Sequence, residues 1–314
     1  MLAVLSIVLP IFALIFAGWG ARRIGVLGPH ATNELNRFVV YLALPALLFD
    51  IVAKARWSDI WQPGFIGAFG LGAALVFVFT VAIRLRARLH LADAAIDGLN
   101  AAYANTAFIG FPLTLAVFGP AALPPTLIAT IVTVCLLFAA ALVLIEIGLQ
   151  TERHPRRMAA KVAGSLARNP LLVAPALGAL FLAFGIGVPA PLDRFLTLLG
   201  GAASPCALVA LGLFLARERP ADARPAHGAT ALLVALKLVA QPLVTWLLAA
   251  YVFHLSPQLT HIAVLIAALP NGTGAFMLAE FYRREAGVTS RALLVSTVLS
   301  LATITLYLSF VHAG

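Results

Sequence analysis

Two short stretches decide the fold: Tyr103–Leu113, which reads YANTAFIGFPL, and Ala268–Leu278, which reads ALPNGTGAFML. Each interrupts the middle of a long apolar segment with polar, glycine and proline residues. Glycine and proline disrupt helical hydrogen bonding. Inside a lipid bilayer, a freed backbone N–H or C=O group costs several kcal/mol unless another group satisfies it. The two stretches therefore predict broken membrane helices whose breaks lie within protein or beside a wet cavity.

The composition supports a helical membrane protein. Of the 314 residues, 62% are hydrophobic and 11% are charged, and the mean hydropathy is +1.02. Ordinary soluble domains are about 45–50% apolar and about 25% charged, and disordered chains have the opposite bias. The long unbroken apolar runs also differ from the short alternating segments of a membrane β-barrel. We therefore predict an all-α polytopic membrane protein.

Ten apolar segments are long enough to cross the hydrocarbon core, which takes about 20 residues of helix. They lie at residues 2–20, 33–53, 64–84, 94–118, 122–149, 169–187, 192–216, 229–253, 258–281 and 289–311. The polar stretch 151–168 is predicted to be a connector. Arg22 and Arg23 follow the first segment rather than precede it, which favours a retained membrane helix over a signal peptide.

The net charge of +9 reflects an uneven distribution of basic residues between alternate loops. Sixteen of the 21 basic residues lie in one set of loops. They are Arg22, Arg23, Arg84, Arg86, Arg88, Arg153, Arg156, Arg157, Lys161, Arg168, Arg217, Arg219, Arg224, Arg283, Arg284 and Arg291. The other set holds Lys54 and Arg56, with Arg194 at a helix start. Because short cytoplasmic loops are rich in lysine and arginine, this alternation predicts a multi-pass protein of the inner (plasma) membrane with both termini outside the cytoplasm. It also explains the basic charge without a nucleic-acid partner.

Five spans is an odd number, so two copies of five spans would lie upside down relative to each other. We predict such copies at 1–150 and 151–314, and inverted repeats are typical of transporters. Aligning Asn105 with Asn271 places the two breaks at equivalent positions, five spans apart. The alternative is that both breaks are ordinary kinks, since glycine and proline are frequent in membrane helices.

The breaks also carry the predicted chemistry. Each creates a half-helix N-terminus with free N–H groups and a partial positive charge. Two such ends that meet at mid-membrane favour an anion, typically a carboxylate. The candidate substrate-binding residues supply side-chain donors, allow close approach or remove a backbone donor. They are Asn105, Thr106, Gly110, Pro270, Asn271, Gly272 and Thr273.

At these residues the sequence resembles the auxin efflux carrier family, which includes plant auxin exporters and bacterial permeases for malonate, malate and related carboxylates. The resemblance covers essentially the whole chain. It rests on LPIFALIFAGWGARRIG at 9–25, LNRFVVYLALPALLF at 35–49, NTAFIGFPL at 105–113 and ALPNGTGAFMLAEFY at 268–282.

The resemblance implies two inverted five-helix repeats with crossing broken helices, as in bile-acid transporter and sodium/proton antiporter folds. It implies a scaffold domain from spans 1, 2, 6 and 7, a transport domain from spans 3–5 and 8–10, elevator-type alternating access and a homodimer. By motif match, Asn105 and Asn271 are the crossover asparagines and Pro270 is the crossover proline. Ala104 stands where a proline would precede Asn105, so the first break is less sharply specified.

Ionisable residues inside the predicted spans are candidates for substrate or coupling roles, because they are expensive to bury in a membrane. Lys237 either attracts an anion or reaches towards the interface with its long side chain. Glu146 either lines the cavity or lies at the interface. Tyr103 either stacks on a substrate or packs in the core, and Ser204 is a further candidate for the cavity.

Other charged residues are expected to have structural roles. Asp50 with Lys54, and Glu280 with Arg284, have the i,i+4 spacing of ion pairs on a helix surface. Asp97, together with Asn100, is expected to cap the fourth span or to face the interface.

The sequence contains no pattern for a catalytic, metal or cofactor site. Cys135 and Cys206 lie in apolar runs without ligand neighbours, and HExxH, P-loop and GxSxG patterns are absent. We therefore expect no enzyme activity, no metal and no cofactor, which disfavours a membrane-embedded enzyme.

The function that we predict is secondary transport of small organic carboxylate anions. The alternative is a cation/proton antiporter of the same fold, which needs a titratable residue at the crossover. The substrate, the direction of transport and the coupling to protons, sodium or membrane potential stay open.

Overall fold

The computed structural model describes residues 2–150, 155–216 and 227–311. These ranges are almost entirely helical. They contain no strand, and their only β-type pairing is one isolated bridge between two residues. The helices are α1 Leu2–Arg23, α2 Ala31–Ala53, α3 Trp57–Ile60, α4 Pro63–Arg86, α5 Leu91–Ala102, α6 Thr106–Phe118, α7 Pro120–Leu149, α8 Pro155–Leu166, α9 Pro170–Phe184, α10 Ala190–Leu215, α11 His227–Val252, α12 Pro257–Ala267, α13 Thr273–Phe281 and α14 Ala286–Val311.

Six of the described helices are long and apolar enough to cross a membrane, namely α2, α4, α7, α10, α11 and α14. The helices α8 and α9 form a pair bent by 72°, which makes a seventh candidate if the pair is one span. The helices α6 and α12 are apolar but shorter. The protein is therefore a helical, multi-pass membrane protein, and two of its predicted spans, 94–118 and 258–281, are divided by breaks.

The stretch 151–168 was predicted to be a connector between spans, and most of its described part forms the helix α8 between α7 and α9. Its basic residues suggested a loop, but Arg157 and Lys161 lie on exposed parts of a helix. The hydroxyl of Ser165 donates a 2.7 Å hydrogen bond to Glu146 Oε2, so α8 packs on the end of α7. The predicted loop residues Arg153, Arg217, Arg219 and Arg224, and the side chain of Arg156, lie outside the described part of the chain.

The helices pack in two groups. In the first, α1 runs along α10, while α2 packs against α9 and α10. Gly18 on α1 and Gly212 on α10 permit this contact, because a Cβ atom at either position would collide with the backbone of the other helix. In the second group, α4 and α7 pack on α5, and α11 packs on α12 and α14. The two groups meet where α13 contacts α2 and α10, beside the breaks.

The two helices that precede the breaks are enclosed by the second group. Residues 94–102 of α5 and 262–267 of α12 are buried, and so are the break residues 268–272. Irregular backbone at membrane depth is tolerated where protein surrounds it. The packing around α5 and α12 therefore provides the environment that broken helices need.

Candidate functional site

The two breaks meet and pair with each other. Ala104 and Asn271 form an isolated antiparallel bridge. The Asn105 N–H donates to the Pro270 carbonyl at 3.0 Å, and the Gly272 N–H donates to the Tyr103 carbonyl at 2.9 Å. These bonds satisfy backbone groups that the breaks would otherwise leave unpaired in a buried region. The pairing fixes the ends of four half-helices at one point.

The N-termini of α6 and α13 face a common cleft between the two helix groups. The wall from the breaks is formed by Tyr103, Asn105, Thr106, Gly272 and Thr273. The first amides of a helix have no acceptor within the helix and carry a partial positive charge. The cleft encloses a cavity of about 30 Å³ next to two positively polarised helix ends, so a ligand larger than one or two water molecules requires the cleft to widen.

The opposite wall comes from α2 and α10 and is mainly apolar. Val39, Leu44, Leu47, Ala203 and Ala207 line it. Ser204 lies among them, and its buried hydroxyl has no hydrogen-bond partner among the described residues. The Thr106 hydroxyl, on the other wall, is also buried and has no hydrogen-bond partner among the described residues. The cleft therefore has an apolar lining with a small number of hydroxyl groups.

Asn271 lies at the crossover, but it does not line the cleft. Its Nδ2 atom donates to Asn100 Oδ1 at 2.7 Å, and its backbone N–H donates to the Ser296 hydroxyl at 3.1 Å. Asn100 in turn donates to the Thr289 hydroxyl at 2.8 Å. Asn271 thus joins the second break to α5 and α14, whereas Asn105 is the asparagine of the cleft wall. The expectation that Asn100 caps a span or faces the interface was wrong, since it is buried beside the crossover.

The remaining candidates from the breaks are buried near the cleft without lining it. Pro270 supplies the carbonyl that pairs with Asn105. Gly110 lies against the side chains of Leu269 and Thr126. Six of the residues predicted from sequence therefore meet in the cleft, with Ser204 on the wall from α10, whereas Gly110, Pro270 and Asn271 do not line it.

The ring of Tyr103 covers two glycines of the second break. A Cβ atom at Gly272 would lie 2.6 Å from Tyr103 Cε1, and one at Gly274 would lie 2.5 Å from the Tyr103 hydroxyl oxygen. The other side of the ring packs at a tilt against Phe138, with 5.9 Å between the ring centroids. Both glycines are therefore required by the close approach of this ring.

The C-terminal ends of the half-helices are capped by one helix, α11. Lys237 Nζ donates to the Ala267 carbonyl at 2.7 Å, at the end of α12. Gln241 Nε2 donates to the Ala102 carbonyl at 3.0 Å, at the end of α5. A cation at a helix C-terminus is stabilising, because that end carries a partial negative charge. Lys237 is 0% exposed and does not line the cleft, so its ammonium neither snorkels nor faces the cavity.

Glu146 lies in a different cavity, which has a volume of about 620 Å³ and is also lined by Tyr41, Lys161, Arg168 and Tyr282. Its carboxylate accepts hydrogen bonds from the Ser165 hydroxyl and from the Tyr282 hydroxyl, both at 2.7 Å. Burial and the neighbouring carboxylate raise the pKa of Tyr282. Glu146 therefore links α7 to α8 and to the end of α13, away from the cleft.

The ion pairs differ in part from those predicted. Lys54 pairs with Asp50 at 2.7 Å, as expected, and it also pairs with Asp193 of α10. Arg284 forms two hydrogen bonds with Asp93, at 2.5 and 2.7 Å, which join α5 to the end of α13. The predicted pair of Glu280 with Arg284 stays a prediction.

Asp97 was expected at a cap or at the interface, and this expectation was wrong. Asp97 lies inside α5, is 0% exposed and accepts a 2.6 Å hydrogen bond from Arg84 Nε. In the described ranges no three His, Cys, Asp or Glu side chains come together as a metal site. Cys135 and Cys206 are free thiols.

A protein-family model described as "Membrane transport protein" matches residues 3–308. The chain belongs to this family. The match agrees with the resemblance to auxin efflux carriers. The relatives of this chain in the membrane transport family are transporters rather than enzymes.

Three relatives illustrate the range of the membrane transport family. A protein of Rhizobium meliloti named "Putative malonate transporter" is 32% identical over 317 residues, which cover 100% of this chain and 98% of the relative. An "Uncharacterized transporter" of Methanothermobacter thermautotrophicus is 28% identical, with 96% of each chain covered. The rice "Probable auxin efflux carrier component 5c" is 30% identical over 146 residues, which cover 45% of this chain and 39% of the rice protein.

Proposed function

We propose that this membrane transporter carries small organic carboxylate anions, bound where α6 and α13 begin. The observation that carries the proposal is the pair of helix N-termini that face one cleft, with Asn105, Thr106 and Thr273 beside them. Each N-terminus is equivalent to roughly half a positive elementary charge. Two of them therefore offer about one unit of positive charge to a carboxylate, without a lysine or arginine in the cleft wall.

The lining of the cleft supports a small substrate with an organic body. Carboxylate oxygens would accept hydrogen bonds from backbone amides in the first turns of α6 and α13 and from the Asn105 side chain. The Thr106 amide is not among these donors, because it already donates to the Ala104 carbonyl at 2.8 Å. The carbon skeleton would contact the apolar wall from Val39, Leu44 and Leu47. The name of the Rhizobium relative makes malonate the first candidate, and the partial match to the rice protein adds auxin-like carboxylates.

The mechanism that we propose is elevator-type alternating access. Ten spans would form two inverted repeats, at 1–150 and 151–314. The group containing α1, α2, α9 and α10 would be the scaffold domain, and the group containing both breaks would be the transport domain. The division into two packing groups supports this assignment, as does the apolar wall between them, because an apolar surface holds no hydrogen bonds that sliding would break.

The cellular setting follows from the same proposal. The protein would lie in the inner (plasma) membrane as a homodimer, with both termini outside the cytoplasm. The charge alternation between loops supports this orientation. The resemblance to auxin efflux carriers supports the dimer.

The test is flux into proteoliposomes for malonate, malate, succinate and indole-3-acetate, each with an imposed pH gradient and with an imposed membrane potential. We expect saturable flux of at least one anion, and its loss in Asn105→Ala, because Asn105 lines the cleft. Asp59→Asn is the matched control, since Asp59 pairs with Arg56 on the exposed helix α3. It is expected to transport like the wild type.

Two outcomes would count against the proposal. Flux that is unchanged in Asn105→Ala would remove the cleft as the site. Proton movement that depends on sodium or potassium, without flux of any organic anion, would favour the cation/proton antiporter instead.

A further inference from the structure

Among the described residues, Asp97 is the only carboxylate that is fully buried. Its Oδ2 atom accepts the bond from Arg84, but its Oδ1 atom is buried without a hydrogen-bond partner in the described part of the chain. A buried carboxylate oxygen without a donor costs free energy, because it has lost its bonds to water. The site is therefore incomplete as an ion pair, and a proton on Oδ1 would remove the charge that lacks a second partner.

One side chain separates Asp97 from the crossover. Asn100 lies three residues further along α5, on the same face of the helix as Asp97. Its Oδ1 atom accepts the 2.7 Å bond from Asn271. A change in the charge of Asp97 can therefore reach the second break through Asn100 alone.

Asp97 is also connected to the protein surface. The side chain of Arg84 is 14% exposed. Glu285, in the half-buried turn before α14, interacts with both Asp97 and Arg84. Burial, together with the charge of Asp93, raises the pKa of Glu285. Glu285 is thus a group at the surface end of this pathway that takes up a proton more readily than an exposed glutamate.

The other charged groups on helices packed against α5 are the exposed Arg86 on α4, Glu146 on α7, Lys237 on α11, Glu280 on α13 and Arg291 on α14. Glu146 bonds to Ser165 and Tyr282, and Lys237 bonds to Ala267. The positive charge of Arg291 favours the ionised form of Glu285. On α5 itself, Asp93 is held by Arg284. Arg84 and Glu285 are therefore the charged groups that act on Asp97.

We propose that Asp97 binds the proton that couples anion movement to a proton gradient. This inference rests on the proposed transport of carboxylates. One proton from the side of uptake adds to Asp97 Oδ1 and gives a neutral carboxylic acid, which leaves Arg84 to interact with Glu285. The same proton leaves to the other side after the anion is released, and the Asp97–Arg84 pair forms again. One proton thus accompanies each anion.

The experiment compares two modes of transport in proteoliposomes, using radiolabelled malonate or whichever of the four anions above the wild type carries fastest. The first mode is accumulation driven by an inward gradient of one pH unit. The second is exchange against internal unlabelled substrate, which needs no net movement of protons. For one proton per anion and a membrane potential held at zero, one pH unit supports about a tenfold accumulation, because it is a tenfold ratio of proton activity.

We expect the wild type to show both modes. Asp97→Asn should retain exchange and lose the accumulation, and Asp59→Asn should behave like the wild type. Since Asp97→Asn leaves Arg84 without its partner and can destabilise the fold, the double variant Arg84→Gln with Asp97→Asn is measured as well. It removes both charges and should show exchange without accumulation.

The outcomes separate this inference from the proposed function. Accumulation that survives in Asp97→Asn or in the double variant overturns the role of Asp97 while the carboxylate transporter stands. If accumulation by the wild type does not respond to the pH gradient, the role of Asp97 is likewise overturned and the carboxylate transporter stands. Absence of flux for every anion in the wild type overturns the proposed function itself.

Discussion

Replacing Gly272 by alanine tests the close packing of Tyr103 on the second break. The new Cβ atom would lie 2.6 Å from Tyr103 Cε1, about 0.8 Å closer than the 3.4 Å at which ordinary van der Waals contact begins. Overpacking of this kind typically costs 1–3 kcal/mol. The backbone at Gly272 has φ −84° and ψ 157°, which alanine adopts without strain. Alanine also lowers the conformational entropy of the unfolded chain, which stabilises the folded protein by about 0.4–1 kcal/mol. We expect a net loss of about 1–2 kcal/mol.

The assay is thermal unfolding in detergent of Gly272→Ala, Tyr103→Leu and the double variant. Removal of the ring should leave room for the new methyl group, so the two substitutions should couple by about 1–2 kcal/mol. Gly287→Ala is the matched control, because nothing lies within 4 Å of a Cβ atom built there, and it should be neutral or stabilising. Additive effects of Gly272→Ala and Tyr103→Leu would refute the packing argument.

The caps from α11 give two further predictions. Gln241→Leu should lower stability by about 1–3 kcal/mol, because it leaves the buried Ala102 carbonyl unsatisfied, while Thr245→Val, one turn further on, should be near neutral since the Thr245 hydroxyl has no partner among the described residues. Equal losses of thermal stability in the two variants would contradict this assignment. Lys237→Met should leave the half-saturation concentration for malonate unchanged, because the ammonium bonds to Ala267 outside the cleft. A large increase in that concentration would show that Lys237 acts on the anion.

The position of the second break could be predicted from the sequence because its cause is local. Pro270 and Gly272 lie in this break, where they disrupt helical hydrogen bonding. The first break, at residues 103–105, contains neither glycine nor proline, and Gly110 and Pro112 lie inside α6, so the residues that suggested this break do not cause it. The fold class followed from the length of the apolar segments. The bridge between Ala104 and Asn271 shows that the two breaks meet, as expected. The role of this meeting point as a binding site stays a prediction.

The partners of the buried polar residues could not be predicted, because they come from helices far away in sequence. Asn100 was assigned to the start of a span, and its bond to Asn271 requires knowing how α5 packs beside the second break. Lys237 and Gln241 have the i,i+4 spacing that places both on one face of α11, which is a signal for a common role. Their acceptors, the last carbonyls of α5 and α12, are visible only once the helices are packed.

The bridge at the crossover also constrains how the protein is made. Its two residues, Ala104 and Asn271, are 167 positions apart in the sequence. At a synthesis rate of about 5–20 residues per second, the first break is inserted roughly ten to thirty seconds before its partner exists. During that interval the N–H of Asn105 and the carbonyl of Tyr103 need water or another polypeptide as a hydrogen-bond partner. Membrane insertion of this chain therefore requires such a partner for the first break until Asn271 has been synthesised.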